Sequence, residues 1–298
     1  MTTQGVAGGV LLFAALIAGC GDNIADSTLG FVGIPKDLKA LSVNESTVRL
    51  LWSPPDGTAD SVLLGYRITY LGREDSVPKT TPFYMASSLP AGDAEFTVYA
   101  RTISGRRSDG ASIRWAPAAR FDNALVLQEF QASDLSRTCC LEVGSAFQDP
   151  GILSFSSPNA RSFVDLYLWG EGTAVGQTSS PLELRSANLF TSAFNATLFS
   201  PVTHTATSLD YPLAEFPQEF SLPSVPVQDN TIYYLRVLGE NGAVFFARVH
   251  VKVLGGTALD RTIAVRISLQ RTPALPIAAR LLPRRSVLAA TMPGLGPR

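Results

Sequence analysis

Apolar and polar residues alternate along most of this chain, and turn residues interrupt the alternation at short intervals. Val48-Arg49-Leu50-Leu51-Trp52 reads as a strand until Ser53-Pro54-Pro55-Asp56-Gly57, a cluster that no strand can cross. Gly65-Tyr66-Arg67-Ile68-Thr69-Tyr70 alternates again and sets Tyr66, Ile68 and Tyr70 on one face. Phe96-Thr97-Val98-Tyr99-Ala100 follows and stops at Ser104-Gly105-Arg106-Arg107. Beyond Phe121 the runs continue at 124–127, 151–155, 163–169, 231–238, 244–254 and 262–269. No helical period separates them, so the predicted fold class is all-β. It is organised as tandem β-sandwich domains at about 34–118 and 121–271.

The pair of runs from 231 to 254 also fixes a register. Tyr233, Leu235 and Val237 share one face, and so do Phe245, Ala247, Val249, Val251 and Val253. Placing both sets on one side of a hairpin requires opposed residues to differ by an even number. That selects the three-residue loop Glu240-Asn241-Gly242, with glycine at the left-handed position. The other face then presents Tyr234, Arg236, Phe246, Arg248, His250 and Lys252, and the next strand adds Arg266 opposite Ile263, Val265, Ile267 and Leu269. Cations mixed with aromatics suit an anionic partner such as an acidic glycan or a lipopolysaccharide phosphate. The same row also fits the solvated side of an antiparallel sheet.

A length of 298 residues with 46% hydrophobic content can bury two cores. Against 24 Lys and Arg stand 25 Asp and Glu, a net charge of -1, so no overall field draws the chain to nucleic acid. Three cysteines make no disulfide scaffold. Cys139 and Cys140 are adjacent, which leaves a buried thiol pair or a vicinal disulfide; the C-x-x-C spacing of a redox motif is missing. From Arg271 the composition shifts to Pro and Arg without an acidic residue, and a disordered tail is expected over 272–298.

The N-terminus adds an address. Val6 to Ala18 is an uncharged apolar run. As a helix it would be about 20 Å long against a hydrocarbon layer of roughly 30 Å, which fits a signal-peptide core rather than a membrane span. It ends in Leu16-Ile17-Ala18-Gly19-Cys20, which resembles the lipobox of bacterial lipoproteins. The resemblance implies a signal peptide over 1–19, cleaved by signal peptidase II, and a mature chain that starts at Cys20 with palmitate or a similar acyl chain. A tether over 20–33 would follow. The membrane, through that lipid, would be the first partner, and several acyl chains at about 0.8 kcal/mol per buried methylene would hold the protein in the cell envelope. Gly21, where an aspartate would favour inner-membrane retention, points to the outer membrane.

The first β-region resembles a fibronectin type III domain of the immunoglobulin-like class. The match rests on Pro35, Leu38, Trp52 with Pro54-Pro55, Gly65-Tyr66, Leu89, Val98 and Ala100, and Gly105 with Ser108. The resemblance makes Trp52 the aromatic between the sheets and requires no cystine. The tyrosine-corner position falls on Ala94, so the loop from Pro90 to Asp93 is expected to take over its role. The fold is a scaffold and brings no chemistry of its own.

No catalytic residue, cofactor or metal site is assigned. His204 and His250 are too few for a three-histidine zinc site. The stretch from Gly170 to Thr178 lacks the lysine and spacing of a phosphate loop, and neither a G-x-S-x-G elbow nor an EF-hand occurs. The resulting expectation is a non-enzymatic envelope lipoprotein, a structural or adhesion module with a glycan, cell-wall or protein ligand. Two alternatives stay open. One is a secreted carbohydrate-active enzyme or its accessory module, which would need a pair of carboxylates in a cleft; Asp165, Glu171, Glu183, Asp210 and Glu215 cannot be paired from sequence. The other is a ligand-capturing surface lipoprotein that holds haem between two histidines.

Overall fold

The computed structural model describes residues 32–158, 160–170, 181–194, 196–239 and 242–280. The calls on the signal peptide, Cys20 and most of the tether lie outside the described residues, as do Glu240, Asn241 and the tail beyond Arg280.

Two β-sandwiches follow one another along the chain. In the first, β1 (Lys36–Asn44), β2 (Thr47–Ser53) and β5 (Phe83–Ala86) form one antiparallel sheet, in the order β1-β2-β5. The facing sheet runs β7-β6-β3-β4, from β3 (Leu63–Tyr70), β4 (Arg73–Pro78), β6 (Ala94–Thr102) and β7 (Ala111–Trp115). Alternation decides what is inside: Val48, Leu50 and Trp52 point inward from β2, and Tyr66, Ile68 and Tyr70 from β3. Trp52 meets Tyr66 edge-on with ring centroids 5.1 Å apart, the place expected for it. Leu71 and Gly72 turn β3 into β4 with φ of 47° and 74°, the left-handed pair that a two-residue hairpin demands. Below Ala94, the loop 90–93 is tied to β7 by an ion pair between Asp93 Oδ2 and Arg114 Nε at 3.2 Å.

The second sandwich packs two five-stranded antiparallel sheets. One has the order β13-β15-β16-β17-β8, from β8 (Ala119–Gln128), β13 (Thr197–Thr205), β15 (Thr231–Leu238), β16 (Val244–Gly255) and β17 (Thr262–Gln270). The other has the order β10-β9-β11-β12-β14, from β9 (Cys140–Glu142), β10 (Gly151–Leu153), β11 (Leu166–Gly170), β12 (Leu182–Ser186) and β14 (Ser224–Pro226). The stretch just before β11, expected to begin a strand at Phe163, instead ends a one-turn helix, α1 (Ala160–Phe163). The register of β15 with β16 is the expected one: Tyr233 pairs with Val249 and Leu235 with Ala247, and Gly239 N donates to Ala243 O at 2.7 Å to close the loop. Gly242 takes the left-handed φ of 76°. The set Tyr233, Leu235, Val237, Phe245, Val249 and Val251 accordingly fills the core between the sheets.

The two sandwiches are joined by more than the covalent connection at 116–118. Between β13 and β14 the chain leaves its own sheet, and Leu213 forms a two-way bridge with Ala40 of β1, N to O distances 2.8 and 2.9 Å. Leu213 and Phe216 from this excursion, Ile232 and Tyr234 from β15, and Ile277 join the core of the first sandwich. Ser42 Oγ on β1 accepts from both Trp115 Nε1 and Ala118 N at 2.9 Å, which pins the junction. Arg271 spans both units, with Nε 2.8 Å from Glu45 Oε1 and Nη2 on Asp149.

The expected disordered tail is corrected over its first residues. Ile277 is fully buried, its carbonyl accepts from Ala116 N at 3.0 Å, and β18 (Ala278–Arg280) pairs antiparallel with β7. The exposed ladder groups of β7 supply what Pro and Arg content cannot signal, a ready edge for one more strand.

Candidate functional site

At one end of the second sandwich, the loop between β9 and β10 meets the β15–β16 hairpin and the start of β11, and the gap between them is a cavity of about 320 Å³. Volumes in this range hold small ligands. Gly144 opens the loop at φ 98°, and Ser145 N donates to Gln148 O at 3.0 Å, so 144–148 is a tight turn that carries Ala146 and Phe147 to the rim. Phe147 is 98% exposed at that rim. Arg271 Nη1 reaches Ala146 O at 3.4 Å and so props the loop from below.

Two carboxyl groups line the cavity. Glu142 ends β9 opposite Gly151, and Asp165 follows α1. They are 7% and 5% exposed. Asp165 Oδ2 accepts from Val143 N at 2.8 Å. Glu142 has no hydrogen bond or ion pair among the described residues, and no Lys, Arg or His lines the cavity. Burial without a counter-charge disfavours the ionised forms: it pushes Glu142 up to about 7 and Asp165 up to about 8, in the latter case against the Val143 hydrogen bond and with the help of the neighbouring Glu142 charge. The remaining lining is apolar, with Phe163, Val237, Phe245 and Pro273.

The face expected to stay open is closed. Tyr234 and His250 are fully buried and Arg248 is 1% exposed, because the chain from 206 to 216 lies across them. Arg248 Nη2 donates to Tyr211 O at 2.7 Å and Leu209 O at 3.3 Å, and burial pulls its pKa down to about 10. His250 Nε2 and Ala206 O stand 2.8 Å apart, and His204 Nδ1 is 2.8 Å from the Tyr234 hydroxyl; desolvation holds both imidazoles below their usual value, hence neutral at pH 7. Arg236 and Lys252 do reach solvent. Arg236 borders a shallow groove with Phe246, Phe220 and Pro276, whereas Arg266 is half-buried with Nε on Asp122 O at 3.0 Å. The seven residues therefore form no single open face. The sheet carries a second layer that belongs to the same chain.

The family model of the fibronectin type III domain matches residues 33–114, the strands β1 to β7. Residues 33–114 are a fibronectin type III domain. Similar solved structures include one described as "Myokine structure" (16% identity, 29% of this chain and 99% of that one, TM-score 0.25) and the FN5 domain of Drosophila Lar (25% identity, 29% and 98%, TM-score 0.23). Chitinase ChiA74 from Bacillus thuringiensis aligns at 12% identity and a TM-score of 0.24 over 83% of this chain and 28% of its own, so this chain spans well under two thirds of it. No curated protein matches the chain.

Beyond the fibronectin type III domain, two other sequence candidates find their places. Cys139 and Cys140 are unbridged thiols, fully buried with Sγ atoms 3.4 Å apart, which is the buried thiol pair of the two alternatives and not the vicinal disulfide. Their contact holds Cys139 below and pushes Cys140 above the ordinary thiol value. They sit under an aromatic cover that includes Tyr167 and Phe194. Of the acidic residues weighed from sequence, Glu171 lies outside the described residues and, among the others, only Asp165 lines the cavity; its companion Glu142 escaped notice. Glu142 lies in Cys140-Leu141-Glu142, a strand of three residues whose pattern carries no period. Among the described residues no group of three metal-ligating side chains occurs, and no helix is long and apolar enough to cross a membrane.

Proposed function

We propose that the chain is a non-enzymatic lipoprotein of the bacterial cell envelope that binds a ligand in the end cavity of its second sandwich, with the fibronectin type III domain as the spacer that holds this module off the membrane. The binding reading is carried by one observation, a built cavity in which a buried carboxyl, Glu142, has no partner. The anchor reading is supported by Leu16 to Cys20 and the apolar run before them, and Gly21 favours the outer membrane. The spacer reading draws support from the joint: Ser42, Leu213, Arg271 and Ile277 tie the fibronectin type III domain to the binding sandwich, so the two present the cavity in one orientation.

The anchor is tested by expressing wild-type and Cys20→Ala chains with labelled palmitate and fractionating the cells. Label and membrane association are expected in the first and not in the second; persistence of both in Cys20→Ala refutes the lipid anchor. The ligand site is tested by screening the full chain and Glu142→Gln against glycan and peptide arrays, with binding by the wild type alone as the expected result.

A second reading has an observation of its own. Two carboxyls in one cleft with values raised to about 7 and 8 are the acid half of what glycoside hydrolysis requires. Asp165 stays mostly protonated at neutral pH while Glu142 is divided between its two forms, and the walls beside them, Phe163, Val237, Phe245 and Pro273, are apolar; because of this lining, binding is preferred. Turnover of reporter glycosides by the wild type that Glu142→Gln abolishes would reverse the preference.

A further inference from the structure

We infer that the end cavity of the second sandwich is a site for an organic cation, a primary ammonium or guanidinium group on a short apolar stem, with Glu142 and Asp165 as its paired counter-ions. The inference rests on the binding reading above and deepens it. Its first ground is charge. Two carboxyls line one cavity, 7% and 5% exposed, and the lining holds no cationic residue. Arg271, which reaches the loop at the Ala146 carbonyl, is paired with Glu45 and Asp149. A buried carboxylate is normally paired or hydrogen-bonded; Glu142 has no protein partner among the described residues, so an entering cation meets an unengaged carboxyl.

The second ground is shape and lining. The walls between the carboxyls and the rim are Phe163, Val237, Phe245 and Pro273, which suit methylene groups and reject a hydrated metal ion. Phe147, 98% exposed at the rim, is free to close over the stem. A volume of about 320 Å³ admits a side chain or a small amine and excludes a folded partner. An uncharged sugar would satisfy the carboxyls as hydrogen-bond partners but would not favour their ionised forms.

Binding would drive deprotonation. Among the described residues that line the cavity, Glu142 on β9 and Asp165 after α1 are the titratable groups, Asp165 mostly protonated at neutral pH and Glu142 about half so; the described residues of β15 and β16 add no ionisable group to the lining. A cation that enters favours both carboxylates, and the protons leave to buffer.

The test is calorimetric titration of the full chain at pH 7.5 with n-butylguanidinium and n-pentylammonium, with n-hexanol as the uncharged stem, calcium chloride and N-acetylglucosamine as the competing chemistries. Each titration is run in PIPES and in HEPES, which differ in ionisation heat and carry no primary ammonium group. Binding of the organic cations with a buffer-dependent heat, weakened about 30-fold or more by Glu142→Gln or Asp165→Asn, is expected. Affinity for the cations should also fall between pH 7.5 and pH 5 in the wild-type chain, an arm that needs no variant to fold. Equal affinity for hexanol, a preference for calcium or the sugar, or no binding of either cation overturns the inference. Sugar binding that Glu142→Gln removes would sink the cation and keep the binding module, whereas silence from every probe and every array would remove both.

Discussion

Glu142 and Asp165 make a statement about stability as well as about ligands. Each is a carboxyl whose value in the folded chain, about 7 and about 8, lies above the ordinary 4.5 and 3.8. Between the two limits the folded chain holds protons that the unfolded chain releases, so their contribution is full below about pH 4 and is lost as pH rises toward 8. Denaturant unfolding should therefore show stability falling from pH 5 to pH 8, and Glu142→Gln should flatten that slope and gain about 1–2 kcal/mol at pH 8. A slope that Glu142→Gln leaves unchanged would mean that the carboxyl is not held protonated. Arg248 is the opposite case, a buried group whose partners are fixed. Its guanidinium satisfies the carbonyls of Leu209 and Tyr211, so Arg248→Met should cost about 2–4 kcal/mol in the same measurement. Neither role was legible from residue type. A glutamate in a three-residue strand and an arginine in an alternating row look alike until burial is known.

At the level of elements, the alternation named β15, β16 and β17 and missed β9, β13 and β14. β15, β16 and β17 run for eight, twelve and nine residues with one face almost wholly apolar, so period and register were both readable. β9 and β14 have three residues each, too few to show a period, and β13 contains Pro201 with a register shift between Phe199 and Thr203. β18 was missed for a different reason. Its residues have no pattern of their own and become a strand because β7 offers an unpaired edge. Ile277, which leads into it, fills a site in the first core. Ile277→Ala should destabilise the chain by about 2–4 kcal/mol, and hydrogen exchange at the Ala116 amide should quicken with it. An Ala116 amide as slow as in the wild type would show that β18 does not protect the edge.

Across the whole molecule, the two sandwiches share a core. Leu213 and Phe216 reach from the second into the first, and Ser42 holds the junction through two donors. Calorimetry of the full chain should accordingly show one cooperative transition. Ser42→Ala, which strands Trp115 Nε1 and Ala118 N, should lower that transition by the equivalent of about 2–4 kcal/mol without dividing it. Two transitions in the wild type would mean that the sandwiches unfold independently.

The sequence alone determined the all-β class, the fibronectin type III strands and their Trp52 core, and the register of the 231–254 hairpin. These follow from local periods and turn residues, which are written in consecutive positions. Only the tertiary structure decided which faces meet solvent. The row from Tyr234 to Lys252 alternates as an open face would, and the chain from 206 to 216 closes most of it. The cavity is set by long-range packing too. It places Glu142 beside Asp165, and the charge on each depends on how little water the packing leaves around them.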